Sequence, residues 1–179
     1  MNKTIKNAAI AGILSIIVDI PLVILEVLKS LKMLSGGLLT IYIIVYVLSL
    51  LLYIVFAWGF KIIGEKTQNN LLSVMTYVFI ISSIIYDGYF ILAAISPSLD
   101  NPIISILTLI FYGAVGIPFG ISLLKLKNQF GSIATATGIL VIITSASFLT
   151  VILSIIGVLT LIPAYILEVI LLFRASEKL

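Results

Sequence analysis

Cysteine and histidine are both absent from this chain of 179 residues. Their absence excludes disulfides, thiol chemistry, haem ligation by either residue and the ordinary zinc and copper sites. We therefore expect neither a metal centre nor a bound cofactor.

Charged residues are also scarce, at 9% of the chain, whereas 62% of the residues are hydrophobic and the mean hydropathy is +1.36. A soluble domain of this size needs far more polar surface, so lipid is the solvent that suits this composition. The sequence also lacks a basic patch for nucleic acid, a nucleophile paired with a base, and a phosphate-binding loop. We expect an integral membrane protein that is not an enzyme and binds no nucleic acid.

Short polar segments divide the chain into apolar stretches at about 7–28, 38–63, 71–95, 103–124 and 132–173. A helix needs roughly 20 residues to cross the hydrocarbon core, so the first four stretches suit one crossing each. The fifth must turn back once, and we place that turn near Ser154 to Gly157 because glycine adopts turn conformations easily. The prediction is a single all-α transmembrane domain over 1–179, a six-helix bundle with the last two helices at 132–153 and 157–174.

The lysines and the arginine indicate the orientation. With six spans they divide eight against two between the two sides of the membrane. The larger group consists of Lys3, Lys6, Lys61, Lys66, Lys125, Lys127, Arg174 and Lys178, and the smaller of Lys29 and Lys32. Because cytoplasmic loops carry the excess of basic residues, we expect a plasma-membrane protein with both termini in the cytoplasm.

Helices 1 and 2 each carry a polar stripe at helical spacing. The stripe of helix 1 contains small residues and two acids: Ala8, Gly12, Ser15, Asp19 and Glu26. The stripe of helix 2 carries hydroxyl groups: Tyr42, Tyr46, Ser49 and Tyr53. Residues at these spacings share a helix face, and small residues allow helices to approach closely in lipid. We expect both stripes to face the interior of the bundle.

Four acids within the apolar stretches are the candidate polar or cation site: Asp19, Glu26, Asp87 and Glu168. From the helical rise of 1.5 Å, Asp19 lies roughly 18 Å along helix 1, close to the membrane midplane. An aspartate at the centre of an inserted helix costs about 2.5 to 3.5 kcal/mol on the insertion scale, so it must face protein or water or be neutral. We expect Glu26 to lie near Lys29 at the outer interface and Glu168 to reach Arg174 at the inner surface.

Two interpretations of these acids remain open. In one, Asp19 is a hydrogen-bonded polar contact between helices. In the other, Asp19 and Asp87 bind a proton or a cation whose movement is coupled to that of a small solute.

Several longer stretches resemble the prokaryotic membrane family known as domain of unknown function 996. They are "NAAIAGILSII", "FAWGFKIIGEKTQNNLLSVMTYVFI", "LKLKNQFGSIATATGILVIITSASF" and "IPAYILEVILLFRASEKL". The resemblance covers most of the chain and implies a multi-pass membrane protein with no established activity. In size and in the short motif "AAIAG", the chain also looks like the substrate-binding component of energy-coupling vitamin transporters.

The sequence favours a non-catalytic accessory or structural subunit of a larger membrane complex, because the chain is small and has minimal loops. The expected partners are the lipid bilayer and other membrane subunits or further copies of the chain. The alternative is a proton- or cation-coupled transporter of small solutes, or the substrate-binding component of an energy-coupling transporter. The intramembrane acids and the hydroxyl stripe favour that alternative.

Overall fold

Long apolar segments in lipid fold as helices, since lipid offers no hydrogen-bond partners for the backbone. The computed structural model describes residues 2–179, and within that range it is all-helical, with no strand. The helices are α1 (Lys3–Ser30), α2 (Gly37–Lys66), α3 (Asn70–Ile95), α4 (Pro102–Leu124), α5 (Lys127–Phe130), α6 (Ser132–Leu149) and α7 (Ser154–Lys178). Six of them are long and apolar enough to cross a membrane, as predicted, and α5 is a single short turn.

The reversal between the last two spans lies earlier than predicted. α6 ends at Leu149 and α7 begins at Ser154, so the turn occupies 150–153. The residue with positive φ in this turn is Val151, at +56°, and not a glycine. Gly157 lies inside α7, where an added Cβ would come within 2.5 Å of the Phe148 ring. This glycine therefore serves helix packing and not chain reversal.

The six long helices close into a ring. Contacts run from α1 to α2, α3, α4, α6 and α7 in turn, and α7 packs back against α1. Each long helix packs against the long helix that follows it in the chain. The α1–α7 contact joins the first long helix to the last and closes the ring. The ring has one face toward lipid, rich in exposed isoleucine, leucine and valine, and one face toward an interior.

Glycine brings α4 and α6 into backbone contact. A Cβ at Gly113 would lie 2.6 Å from the Leu149 nitrogen and 2.7 Å from the Ser145 carbonyl oxygen. A Cβ at Gly120 would lie 2.9 Å from the Gly138 carbonyl oxygen, and a Cβ at Gly138 would lie 2.8 Å from that of Gly120. Small residues on both helices thus allow the close approach that helices need to associate in lipid.

Four polar contacts tie the helix ends together at one end of the ring, which we call the basic end because it carries the larger group of lysines and the arginine. The backbone N–H of Asn2 donates to the Ser176 carbonyl at 2.6 Å, and Lys66 Nζ donates to the Leu179 carbonyl at 3.1 Å. Lys178 Nζ donates to the Gln129 carbonyl at 2.7 Å. The fourth is Asn69 Nδ2, which donates to the Ser122 carbonyl at 2.8 Å.

Candidate functional site: two cavities inside the helix ring

Asp19 lies on the interior face of α1 and is held by two serines. Its Oδ1 accepts a hydrogen bond from Ser49 Oγ of α2 at 2.5 Å. Its Oδ2 accepts one from Ser15 Oγ, one turn earlier on α1, at 3.3 Å. The carboxylate therefore links α1 to α2, and both polar stripes face inward at this level.

Asp87 of α3 lines the same space as Asp19. We call this space, of about 230 Å³, the polar cavity. It is bounded by five helices through Ser15, Asp19, Ser49, Leu50, Tyr53, Ser83, Asp87, Tyr112 and Tyr165. Two of the four predicted acids are thus brought together, in a cavity lined mainly by hydroxyl groups.

Glu26 is not part of the polar cavity. It lies about 10 Å further along α1, toward the end opposite the basic end. Its Oε1 accepts a hydrogen bond from the Tyr42 hydroxyl at 2.7 Å, and the Tyr42 ring packs against that of Tyr46 with centroids 5.3 Å apart. Lys29 Nζ lies 5.7 Å from the Tyr42 ring centroid. Glu26 therefore makes its hydrogen bond to the hydroxyl stripe of α2, while Lys29 lies over the same ring.

Glu168 does not reach Arg174, contrary to the expectation from the sequence. Six residues along a helix correspond to a rotation of about 240°, which places the two side chains on different faces. Arg174 is exposed, and within 2–179 the one ion pair joins Lys61 to Glu65 at 2.7 Å. Glu168 instead faces a second interior space, of about 290 Å³.

This second space, which we call the aromatic cavity, lies nearer the basic end. It is lined by phenylalanines and tyrosines from five helices, together with small and hydroxyl residues. Its aromatic residues are Tyr53, Phe56, Phe60, Phe79, Tyr112, Phe119, Phe148 and Tyr165. Among residues 2–179, Glu168 is the single charged side chain in its lining.

Three tyrosines line both cavities, and we call them the tyrosine collar: Tyr53, Tyr112 and Tyr165. They come from α2, α4 and α7 and lie where the polar and aromatic cavities meet. The hydroxyl of Tyr165 is buried and has no hydrogen-bond partner among the described residues.

Several of these residues were missed by the sequence interpretation. Phe56 and Phe60 extend the stripe of α2 beyond Tyr53 at spacings of three and four, so the periodicity offered a signal for them. Tyr112 and Tyr165 had no such signal, because an isolated aromatic residue in an apolar helix faces lipid as often as protein. Their position depends on the order in which the helices close the ring.

Within the described part of the chain, no group of three acids is placed to hold a metal ion. Asp19 and Asp87 in the polar cavity have hydroxyl groups around them instead. Hydroxyls donate to a carboxylate and accept from a carboxylic acid, so this cavity can accommodate a carboxyl group with or without its proton.

Comparisons of the chain with protein-family models, with curated proteins and with solved structures gave no match. The resemblance to domain of unknown function 996 therefore stays a prediction, and the function has to be argued from the cavities.

Proposed function

We propose that this chain is a multi-pass transporter that binds a small solute inside its helix ring and couples the movement of that solute to a proton. The observation that carries this proposal is the pair of interior cavities that meet at the tyrosine collar, one lined by two carboxyl groups and the other by one. Charged side chains inside membrane bundles are costly and mark pathways for ions and substrates.

The two cavities suit different parts of such a cycle. The aromatic cavity, of about 290 Å³, is close to the lower end of the range for ligand pockets and is mostly apolar with few polar groups. The polar cavity contains the two carboxyl groups and the serines that can stabilise either protonation state. In this proposal the solute occupies the aromatic cavity, and Asp19 and Asp87 exchange the proton.

The proposed orientation has both termini in the cytoplasm, because the basic end carries eight of the ten basic residues. In that orientation the aromatic cavity lies on the cytoplasmic side of the collar and the polar cavity on the outer side. Protons arriving from outside would then meet Asp19 and Asp87 before any solute site.

The test uses purified protein in liposomes with an inward-directed proton gradient. The liposomes are incubated with an equimolar mixture of amines, amino acids, sugars and carboxylic acids, and the compounds retained are measured by mass spectrometry. We expect at least one class to accumulate above the level in protein-free liposomes. Asp19→Asn should reduce that accumulation to the level seen without a gradient, whereas Asp100→Asn, in the exposed connection before α4, should leave it unchanged.

Two results would contradict the proposal. One is that no compound accumulates in wild-type liposomes. The other is that Asp19→Asn accumulates solute as wild type does, which would remove Asp19 from the coupling. If the protein instead co-purifies in a fixed ratio with a larger membrane complex and accumulates nothing, the accessory-subunit interpretation takes its place.

A further inference from the structure

Glu168 has no partner for its charge in the aromatic cavity. No lysine or arginine lines this space, and among residues 2–179 the carboxylate takes part in no ion pair. The neighbouring hydroxyls of Thr76 and Thr144 are already committed, the first to the Leu72 carbonyl at 2.8 Å and the second to Thr160 Oγ1 at 2.8 Å. An ionised carboxylate without a partner is costly here, so Glu168 either carries a proton or is stabilised by a positive charge from outside the chain.

The walls around Glu168 favour an organic cation. Phe56 stacks on Tyr165 with centroids 4.6 Å apart, and Phe79 stacks on Tyr112 at 5.9 Å. The negative potential of an aromatic ring face attracts cations, most strongly where water is excluded. Aromatic walls also supply apolar surface for the carbon groups that an organic cation carries.

We propose that the aromatic cavity binds a small organic ammonium ion, with Glu168 as its counter-ion and the surrounding rings as its cage. This inference deepens the proposed function, since it names the class of solute for the same cavity. Tyr165, whose ring stacks on Phe56, belongs to this cage.

Other classes of ligand fit this lining less well. A metal cation needs several oxygen ligands, and a single carboxylate in an aromatic wall does not provide them. An anion would be repelled by ionised Glu168, and a neutral solute would leave the ionised carboxylate without a counter-charge. An alkylammonium ion satisfies both the carboxylate and the rings.

Equilibrium binding to the purified full chain in detergent tests the inference without requiring transport. The probe is benzyltrimethylammonium, titrated by calorimetry, and its comparison ligand is the uncharged alcohol dimethylbenzylcarbinol, which has the same benzyl group and a similar shape. We expect the cation to bind at least about tenfold more tightly than the alcohol.

Matched variants locate the site. Glu168→Gln keeps the shape of the side chain and removes its charge, so it should weaken binding of the cation by about tenfold or more and leave binding of the alcohol unchanged. Glu177→Gln removes a carboxylate from the exposed end of the same helix and should change neither affinity by more than about twofold. If Glu168→Gln does not yield folded protein, Phe79→Leu removes one ring of the cage, and it should weaken the cation more than the alcohol.

The inference is overturned if benzyltrimethylammonium does not bind wild type, if the alcohol binds equally well, or if Glu168→Gln binds the cation as wild type does. Failure of this inference and failure of the proposed function are distinguishable. Binding of the cation without uptake of any solute refutes transport alone, whereas gradient-driven uptake of a sugar or an acid without binding of the cation refutes the ammonium site alone.

Discussion

Replacing Asp19 with leucine should loosen the contact between α1 and α2, and the structure gives the magnitude. The substitution removes the acceptor for Ser49 Oγ at 2.5 Å and for Ser15 Oγ at 3.3 Å. Interhelical hydrogen bonds in membrane bundles contribute about 0.6 kcal/mol on average and about 1.7 kcal/mol at most. With one short interhelical bond and one longer bond within α1, we expect Asp19→Leu to lower the free energy of unfolding by about 1–2 kcal/mol.

Asparagine at the same position should be nearly silent for stability. Its carbonyl oxygen can still accept from Ser49, and its amide can donate to Ser15, so both contacts are retained in kind. We expect a change of less than about 0.5 kcal/mol. The pair of variants therefore separates the hydrogen-bonding contribution of Asp19 to stability from the contribution of its charge.

The assay is unfolding of the purified protein in mixed micelles by increasing denaturing detergent, followed by circular dichroism. Asp100→Leu, at an exposed position, controls for the general effect of exchanging an aspartate for leucine. A double-mutant cycle of Asp19→Leu with Ser49→Ala isolates the interhelical bond, with an expected coupling of about 0.6–1.7 kcal/mol. Additive effects of the two changes, or equal stability of the asparagine and leucine variants, would refute this account.

Two further predictions concern helix packing and orientation. Gly113→Ala should destabilise the protein by about 2 kcal/mol or more, because its Cβ would collide with the backbone at Ser145 and Leu149. Gly88→Ala in α3, where none of the described residues lies within 4 Å of the added Cβ, should be neutral or slightly stabilising. Equal melting temperatures of these two variants would contradict the close packing of α4 on α6. Since the chain has no cysteine, Ser35→Cys and Asn128→Cys need no cysteine-free background. An impermeant maleimide should label the first in intact cells and the second only after the membrane is opened, and the reverse pattern would invert the proposed orientation.

Hydropathy and periodicity predicted the parts of this fold that follow from lipid as a solvent. The six spans and the inward stripe of α1 both depend on local spacing, and the structure has both of them. The hydroxyl stripe of α2 was also recognisable, with Tyr42 bound to Glu26 and Ser49 bound to Asp19.

Features that depend on the closure of the ring could not be predicted in this way. The expectation that Glu168 pairs with Arg174 used closeness in sequence, whereas the aromatic cavity that Glu168 faces is built by side chains from several other helices. The turn after α6 was placed at a glycine, but Val151 has the positive φ, and Gly157 is fixed by its contact with Phe148. Glycine is required both for turns and for close packing, and the sequence alone does not distinguish the two uses.

The contact between α1 and α7 has a consequence for how this protein is assembled. α7 is synthesised more than a hundred residues after α1, so the side of the ring formed by these two helices stays open until α7 has been made. Asp19 finds its partner early, since Ser49 lies only 30 residues further along the chain. Glu168 and Tyr165 belong to α7, so the aromatic cavity forms only after α7 has packed against the other helices. The interior faces of the five preceding spans therefore stay unenclosed until α7 completes the ring.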